Sequence, residues 1–383
     1  MAEPRIVAWG ESTYEKRDGH PLYWHLWQAA RETLDRAGLA KDDVDGLALS
    51  SFMMGPGNVV TFAEHLGMSL RWAEQGAYGG ASVVIALGKA ADAIRNGRAR
   101  AILILSGDAF TVAAHDAMLD DFTPTMGAYL APHGFGGANG IFALVQRQHQ
   151  HRHGSRREQF GQLAVRQRGH ALLNPNALFK VPLTLDDYLA ARPICEPLGL
   201  FDCVMPCSGA HGVLVVADAV ARSLDRPSLR ILATREAHNA YPRSSSSLPG
   251  GFEAYADELF AAAGVGRADV DLCELYDDYP VMVAIQLERY GFCGLGEGAA
   301  FIEATDTTIQ GELPINTGGG QLSCGQSGAG GGGIGLSHAI QQLQGEAGAW
   351  QVADAEVALA SGFGLVSYGK GLCTSATLIA RDV

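Results

Sequence analysis

The stretch NTGGGQLSCGQSG (Asn316–Gly328) runs directly into AGGGGIGLSHAIQQL (Ala329–Leu343), a dense glycine loop followed by an apolar helix. Glycine lets backbone approach closer than a Cβ allows, so the loop reads as a tightly packed turn. Gly330–Gly333 at a helix start also suggests a phosphate cradle. A dinucleotide fingerprint, however, needs its strand directly before the glycines, and the strand here, Pro314–Asn316, ends too early. Close packing of the helix Ile334–Leu343 on a core strand accounts for the glycines without a nucleotide.

Outward from this loop the chain alternates strands and helices. Before it come a strand at Leu229–Thr234, a helix at Phe252–Ala263, a strand at Val270–Tyr276 and a helix at Val281–Tyr290. Val357–Ser361 and Ser375–Ala380 read as closing strands. The first part has the same grammar: strand Arg5–Ala8, helix Tyr23–Ala37, strand Val44–Ser50, helix Ala81–Asn96 after Gly79-Gly80, and strands Ala101–Ser106 and Gly212–Ala217. Helices carry the 3.6-residue apolar period, and the continuous apolar runs suit strands covered on both faces. The matching order predicts an α/β protein made of two similar halves, 1–226 and 227–383. The irregular stretch 113–197, rich in His, Pro and Arg, is too long for a simple connection and is expected to form a loop domain inserted in the first half.

Composition narrows the function. At 383 residues, 47% hydrophobic and 18% charged, the chain can build more than one core. A net charge of −13 argues against a nucleic-acid partner, while a local basic patch would still accept an anionic ligand. No apolar run approaches the roughly 20 residues that span a bilayer, and the N-terminal residues carry no signal-peptide pattern. Seven cysteines without framework or metal-ligand spacing predict reduced thiols in the cytoplasm. His149, His151 and His153 lack a third ligand with recognisable spacing and predict surface clustering, with no metal site.

Four segments in this order resemble the thiolase superfamily, in its sterol-carrier-protein and lipid-transfer branch. They are Gly79-Gly80-Ala81-Ser82 with Asn96-Gly97, Asp202-Cys203 with Ser208-Gly209-Ala210, Glu274-Leu275-Tyr276-Asp277-Asp278-Tyr279, and the loop Asn316–Gly328. The resemblance implies a thiolase fold, a duplicated five-layer α/β/α/β/α arrangement. It places Gly80 where that family carries its acyl-accepting cysteine, Tyr276 in place of a catalytic histidine, and Gln326 in place of the histidine of a Gly-His-Pro loop. Thiolytic chemistry needs a thiolate and an activating base, so an ordinary thiolase cycle is not expected.

Glycine at the Gly80 position with tyrosine at Tyr276 is shared with bacterial steroid side-chain retro-aldolases of this superfamily. Those enzymes split a β-hydroxyacyl-CoA into a ketone and a shorter acyl-CoA, and work with a small zinc-ribbon/OB-fold partner. The resemblance departs at Gln326, where they place a second tyrosine. It implies Tyr276, Gln326 and His133 (in Pro132-His133-Gly134) as catalytic candidates and Gly80, Asp277 and Cys324 as substrate-binding ones. Tyr276 is expected to act as general base with a lowered pKa, Gly80 to leave room for a bulky acyl group, and Asp277 to orient the strand end. Coenzyme A enters as part of the substrate, no cofactor is required of the chain, and a homodimer is implied. The alternatives are a Claisen-type acyl transfer with Cys324 as nucleophile and a non-catalytic lipid-binding subunit. Cys195, Cys203, Cys207, Cys273, Cys293 and Cys373 read as core or subunit-contact residues.

Overall fold

In a computed structural model, residues 2–16, 19–110, 124–134, 137–242, 251–367 and 370–382 are described. The expected start of the loop domain at Ala113 lies outside them. Eleven strands are formed among these residues: β1 (Pro4–Glu11), β2 (Gly46–Ser50), β3 (Trp72–Gly76), β4 (Ala101–Asp108), β5 (Pro193–Cys195), β6 (Leu198–Gly199), β7 (Gly209–Ala217), β8 (Leu229–His238), β9 (Leu272–Glu274), β10 (Val357–Ser367) and β11 (Lys370–Arg381). Nine of them join in the order β3-β2-β4-β7-β1-β8-β11-β10-β9, and β5 pairs with β6 separately.

That order is one pattern used twice. In the first half β1 runs antiparallel to β7, β7 antiparallel to β4, and β4, β2 and β3 are parallel. In the second, β8 runs antiparallel to β11, β11 antiparallel to β10, and β10 is parallel to β9. A parallel bridge from Cys273 to Ile315 then occupies the place that β3 has in the first half. The halves meet through the short antiparallel contact of Arg5 and Ile6 with Arg230 and Leu229.

Five layers follow from which faces are apolar. The helix Leu22–Ala37 presents Leu26, Ala29, Ala30 and Leu34 to Val7, Leu103, Leu105 and Leu214 of the first sheet. The helices Ser82–Arg95 and Gly331–Gln344 fill the middle, where Val83, Leu87, Leu336 and Ile340 share one core with Ile102, Val213, Ala358 and Ala360. On the far side, helices Ala256–Ala263 and Pro280–Tyr290 set Leu259, Val283 and Ile285 against Leu359 and Leu378. β4 and β7 are buried at every position, as their unbroken apolar runs require. Each Leu, Ile or Val enclosed in this way contributes about 1.5–3 kcal/mol.

Between β4 and β7 the chain makes helices rather than an irregular loop: Gly137–His153, Arg157–Leu173 and the short Leu185–Ala190. His149, expected on the surface, is buried between the Ser155 hydroxyl and the Glu288 carboxylate, each 2.8 Å away, and so anchors this insertion to the second half. His151 and His153 remain exposed.

Candidate active site

The end of β9 and the glycine loop are stitched together by main-chain and side-chain bonds. Asn316 donates its N–H to the Cys273 carbonyl, and its Oδ1 accepts from the Leu275 N–H at 2.7 Å. The buried Glu274 carboxylate accepts from the N–H of Thr317 at 2.9 Å and from its hydroxyl at 2.5 Å. The chain then turns out of the strand, and Tyr276 is held by its N–H to Ser361 Oγ (2.9 Å) and by its carbonyl, which accepts from Gln286 Nε2 (2.7 Å). Ser361 in turn donates to Gln286 Oε1, closing a small buried triangle.

The ring so positioned lies directly over Gly80. A Cβ built on Gly80 would fall 2.5 Å from Tyr276 Cζ and 2.6 Å from its hydroxyl oxygen, nearer than atoms can approach. The missing side chain therefore makes room for Tyr276, and Gly80 also lines the cavity described below. Glycine and tyrosine at these positions form one sterically coupled pair.

Gln326 completes the group. Its Nε2 donates to Gln321 Oε1 at 3.0 Å and, more weakly, to the Tyr276 hydroxyl at 3.4 Å. Its main chain binds the segment after the loop domain, donating to Met205 O (2.8 Å) and accepting from Cys207 N (3.0 Å). The Tyr276 phenol is pushed well above its ordinary value, first by burial and then by the nearby Asp278 and Asp277 carboxylates; its bond from Gln326 opposes this only in part. The expectation of a lowered pKa is thus not met. Tyr276 holds its proton and is equipped to donate it.

The two aspartates that follow have separate fates. Asp277 accepts from the N–H groups of Gln321 (2.8 Å) and Leu322 (3.3 Å) and from Gln167 Nε2 (2.9 Å). It thereby satisfies the first turn of the short helix Gly320–Cys324, and burial raises its carboxyl to about 7. It fixes the glycine loop and is not on the wall of the cavity that Tyr276 faces. Asp278 is on that wall.

The cavity measures about 420 Å³ and lies between the glycine turns, β10 and the insertion. Phe52, Phe142, Phe179, Phe201 and Phe363 make it largely apolar, and Tyr276, Asp278, Tyr279, Gln326 and Arg168 supply polar groups. Such a lining suits an apolar ligand oriented by a few polar contacts. Arg168 was not marked by sequence. It is buried, donates to Ser323 Oγ and Val181 O at 3.1 Å each, and stacks between Phe179 and Phe201, so all its contacts among the described residues are with neutral groups.

The remaining candidates stand apart. Cys324 is enclosed by Tyr14, Ala171, Ala177, Cys207 and Ile334, away from the cavity wall. Its thiol donates to Gly318 O at 3.1 Å, and burial pushes it well above the usual range, so it stays a thiol. His133 is exposed in a short turn and does not line the cavity. Among the described residues no cluster of three or more His, Cys, Asp or Glu could hold a metal. No helix among them is long and apolar enough to cross a membrane.

The layers, with Gly80 against the Tyr276 phenol and Cys324 off the cavity wall, define a thiolase-like protein. A family model described as thiolase C-terminal domain-like matches residues 233–378. The 17-hydroxy-3-oxo-4-pregnene-20-carboxyl-CoA lyase of Mycobacterium tuberculosis is 32% identical over 334 residues, covering 83% of this chain and 86% of the relative. The steroid side-chain-cleaving aldolase of Thermomonospora curvata is 30% identical over 333 residues, covering 83% and 85%. Among solved structures, the Ltp2-ChsH2(DUF35) aldolase matches with a TM-score of 0.86 and 28% identity over 100% of this chain and 98% of its own. An acetyl-CoA acetyltransferase from Syntrophomonas wolfei, at 15% identity and a TM-score of 0.72, shares the fold. The chain belongs to the thiolase superfamily, among its aldolase-type carbon–carbon lyases.

Proposed function

We propose that the chain cleaves a bulky β-hydroxyacyl-CoA, with a steroid side chain as the substrate class, to a ketone and a shorter acyl-CoA. The observation that carries this reading is the Tyr276 phenol seated on Gly80 beside Gln326. A proton donor and an amide donor converge where a thiolase would form a covalent bond. Carbon–carbon cleavage leaves negative charge on the thioester oxygen, and donors placed in advance lower that barrier most. Gln326 Nε2 and the Tyr276 O–H are such donors, and the aromatic cavity wall suits a polycyclic acyl group.

The reading includes a homodimer and a small zinc-ribbon/OB-fold partner, with any zinc held by the partner and no cofactor in this chain beyond the substrate's coenzyme A. β3 is a sheet edge among the described residues, which supports pairing with a second copy. The likeness to a solved aldolase named with a DUF35 component supports the second subunit. All seven cysteines are unpaired, in keeping with a cytoplasmic setting. The test is to incubate the chain, with and without a zinc-ribbon/OB-fold protein, with a steroid β-hydroxyacyl-CoA and analyse the products by mass spectrometry. A ketone and a shorter acyl-CoA in equal amounts are expected. Acylated Cys324, or no cleavage with partner present, would overturn the reading.

A further inference from the structure

Retro-aldol cleavage needs a base for the β-hydroxyl proton, and the groups so far placed at the site do not supply one. Tyr276 and Tyr279 both line the cavity with phenols pushed far up by burial. Cys203 lines it with a thiol pushed to about 12. Arg168 and Arg192 are cations there, and Gln326 has no proton acceptor of useful strength.

Resting on the proposed cleavage, we propose that the carboxylate of Asp278 is the catalytic base, and that Tyr276 is the acid that protonates the enolate.

Three observations carry this. Asp278 is the carboxyl residue on the cavity wall among the described residues, while Asp277 faces the glycine loop. Asp278 is buried, and its Oδ1 has no hydrogen-bond partner, in contrast to the several donors that Asp277 collects. A buried carboxylate oxygen without a donor is costly to fold and rare, and this one belongs to a residue of the cavity wall. Asp278 and Tyr276 line the same cavity, and the Asp278 charge acts on the Tyr276 phenol more strongly than that of Asp277.

Burial and then Asp277 raise the Asp278 carboxyl well above its ordinary value, which makes its carboxylate a stronger base than a solvated one. The titratable groups facing it are Tyr276, Asp277 and Tyr279 of its own segment and Cys203 after the insertion, with Arg168 and Arg192 elsewhere on the wall.

The step balances within these residues. Asp278 takes the hydroxyl proton, and the O–H electron pair becomes the second bond of the ketone. The Cα–Cβ bond breaks, and its pair enters the thioester enolate. The Tyr276 phenol protonates the enolate carbon, and the neutral Asp278 carboxyl returns its proton to the phenolate. No electron or proton is gained or lost overall.

The experiment measures cleavage by the complete enzyme with its partner, as a function of pH, for wild type, Asp278→Asn and Asp278→Glu. Thermal unfolding and acyl-CoA binding serve as fold controls. Asp278→Asn is expected to lower kcat on the order of 10²–10⁴-fold with acyl-CoA binding preserved. It should also remove the limb on which wild-type kcat/KM rises with pH. Asp278→Glu should keep that limb, displaced in pH, with intermediate activity. If wild type cleaves and Asp278→Asn keeps more than about a tenth of its turnover, outside that range, Asp278 is not the base and the proposed cleavage stands. Should Asp278→Asn fail to fold, an Asp278→Glu enzyme with an unmoved pH limb overturns the assignment. If wild type itself does not cleave with partner present, the cleavage reading fails and this assignment with it.

Discussion

The two halves of the molecule each open their central helix with the same device. In the first, the turn Gly79–Ala81 leads into Ser82–Arg95; in the second, Gly328–Gly330 leads into Gly331–Gln344. Both turns begin with a glycine at φ 57, a left-handed conformation that other residues rarely adopt. They face one another, and there the likeness ends. A Cβ on Gly332 would fall on the carbonyl oxygen of Gly80 and within 2.7 Å of its carbonyl carbon, which is main chain and cannot yield. The three atoms nearest a Cβ on Gly80 all belong to the outer part of the Tyr276 ring, a side chain rather than main chain. The same local signal is a main-chain packing requirement in one half and part of a cavity wall in the other. What differs is the neighbour.

The comparison breaks most readily at Gly332. Gly332→Ala is expected to abolish folded protein, because two main-chain segments would have to separate. Soluble yield and circular dichroism check this, and a well-folded Gly332→Ala protein would show that the central helices are not in the contact described.

The next effect is at Tyr276. Tyr276→Phe removes one oxygen and is expected to lower turnover on the order of 10²–10⁴-fold, roughly 3–5 kcal/mol of barrier, with acyl-CoA binding preserved. Gly80→Ala should fold, displace the phenol and lower turnover by about tenfold or more, reflecting a misplaced catalytic group. Because both changes act on one phenol, adding Gly80→Ala to Tyr276→Phe should cost little more than Tyr276→Phe alone. Additive losses in that cycle would mean that Gly80 serves the ligand independently of the tyrosine.

The smallest effect is expected in the loop that leads into the second turn. Cys324→Ala leaves a small void and should cost about 1 kcal/mol of stability, with turnover within about twofold of wild type, because the thiol is off the cavity wall. Alkylating agents should leave Cys324 unmodified in the native fold, as peptide mass mapping would show, because the thiol is enclosed. Complete loss of activity in a folded Cys324→Ala protein would favour acyl transfer.

Several of these features were legible in sequence. The repeated strand–helix order, the apolar runs of β4 and β7 and the glycine loop predicted two like halves, because period and punctuation are local properties of the chain. β3 escaped notice: Trp72–Gly76 has one large apolar residue and, as an edge strand, little need of more. Most of the insertion's helical content escaped too, beyond a helix end at His149–His153, since Gly137–His153 is studded with Gln, Arg and His and buries only part of its surface. Asp278 and Arg168 were passed over because an aspartate beside another, or an arginine in a polar helix, looks like solvated surface.

The sequence by itself determined that a glycine stands at Gly80 and a tyrosine at Tyr276, the pair on which the resemblance to the cysteine-free aldolases rested. Only the tertiary structure decided that these residues touch, that Asp277 binds the glycine loop while Asp278 lines the cavity with an unpartnered Oδ1, and that the phenol keeps its proton. The reason is physical. A residue's identity is written in the chain, but its protonation and reach depend on desolvation and on hydrogen-bond partners. Here those partners, from Gln167 and Gln326 to Ser361 and Gln286, come from distant segments that only folding brings together.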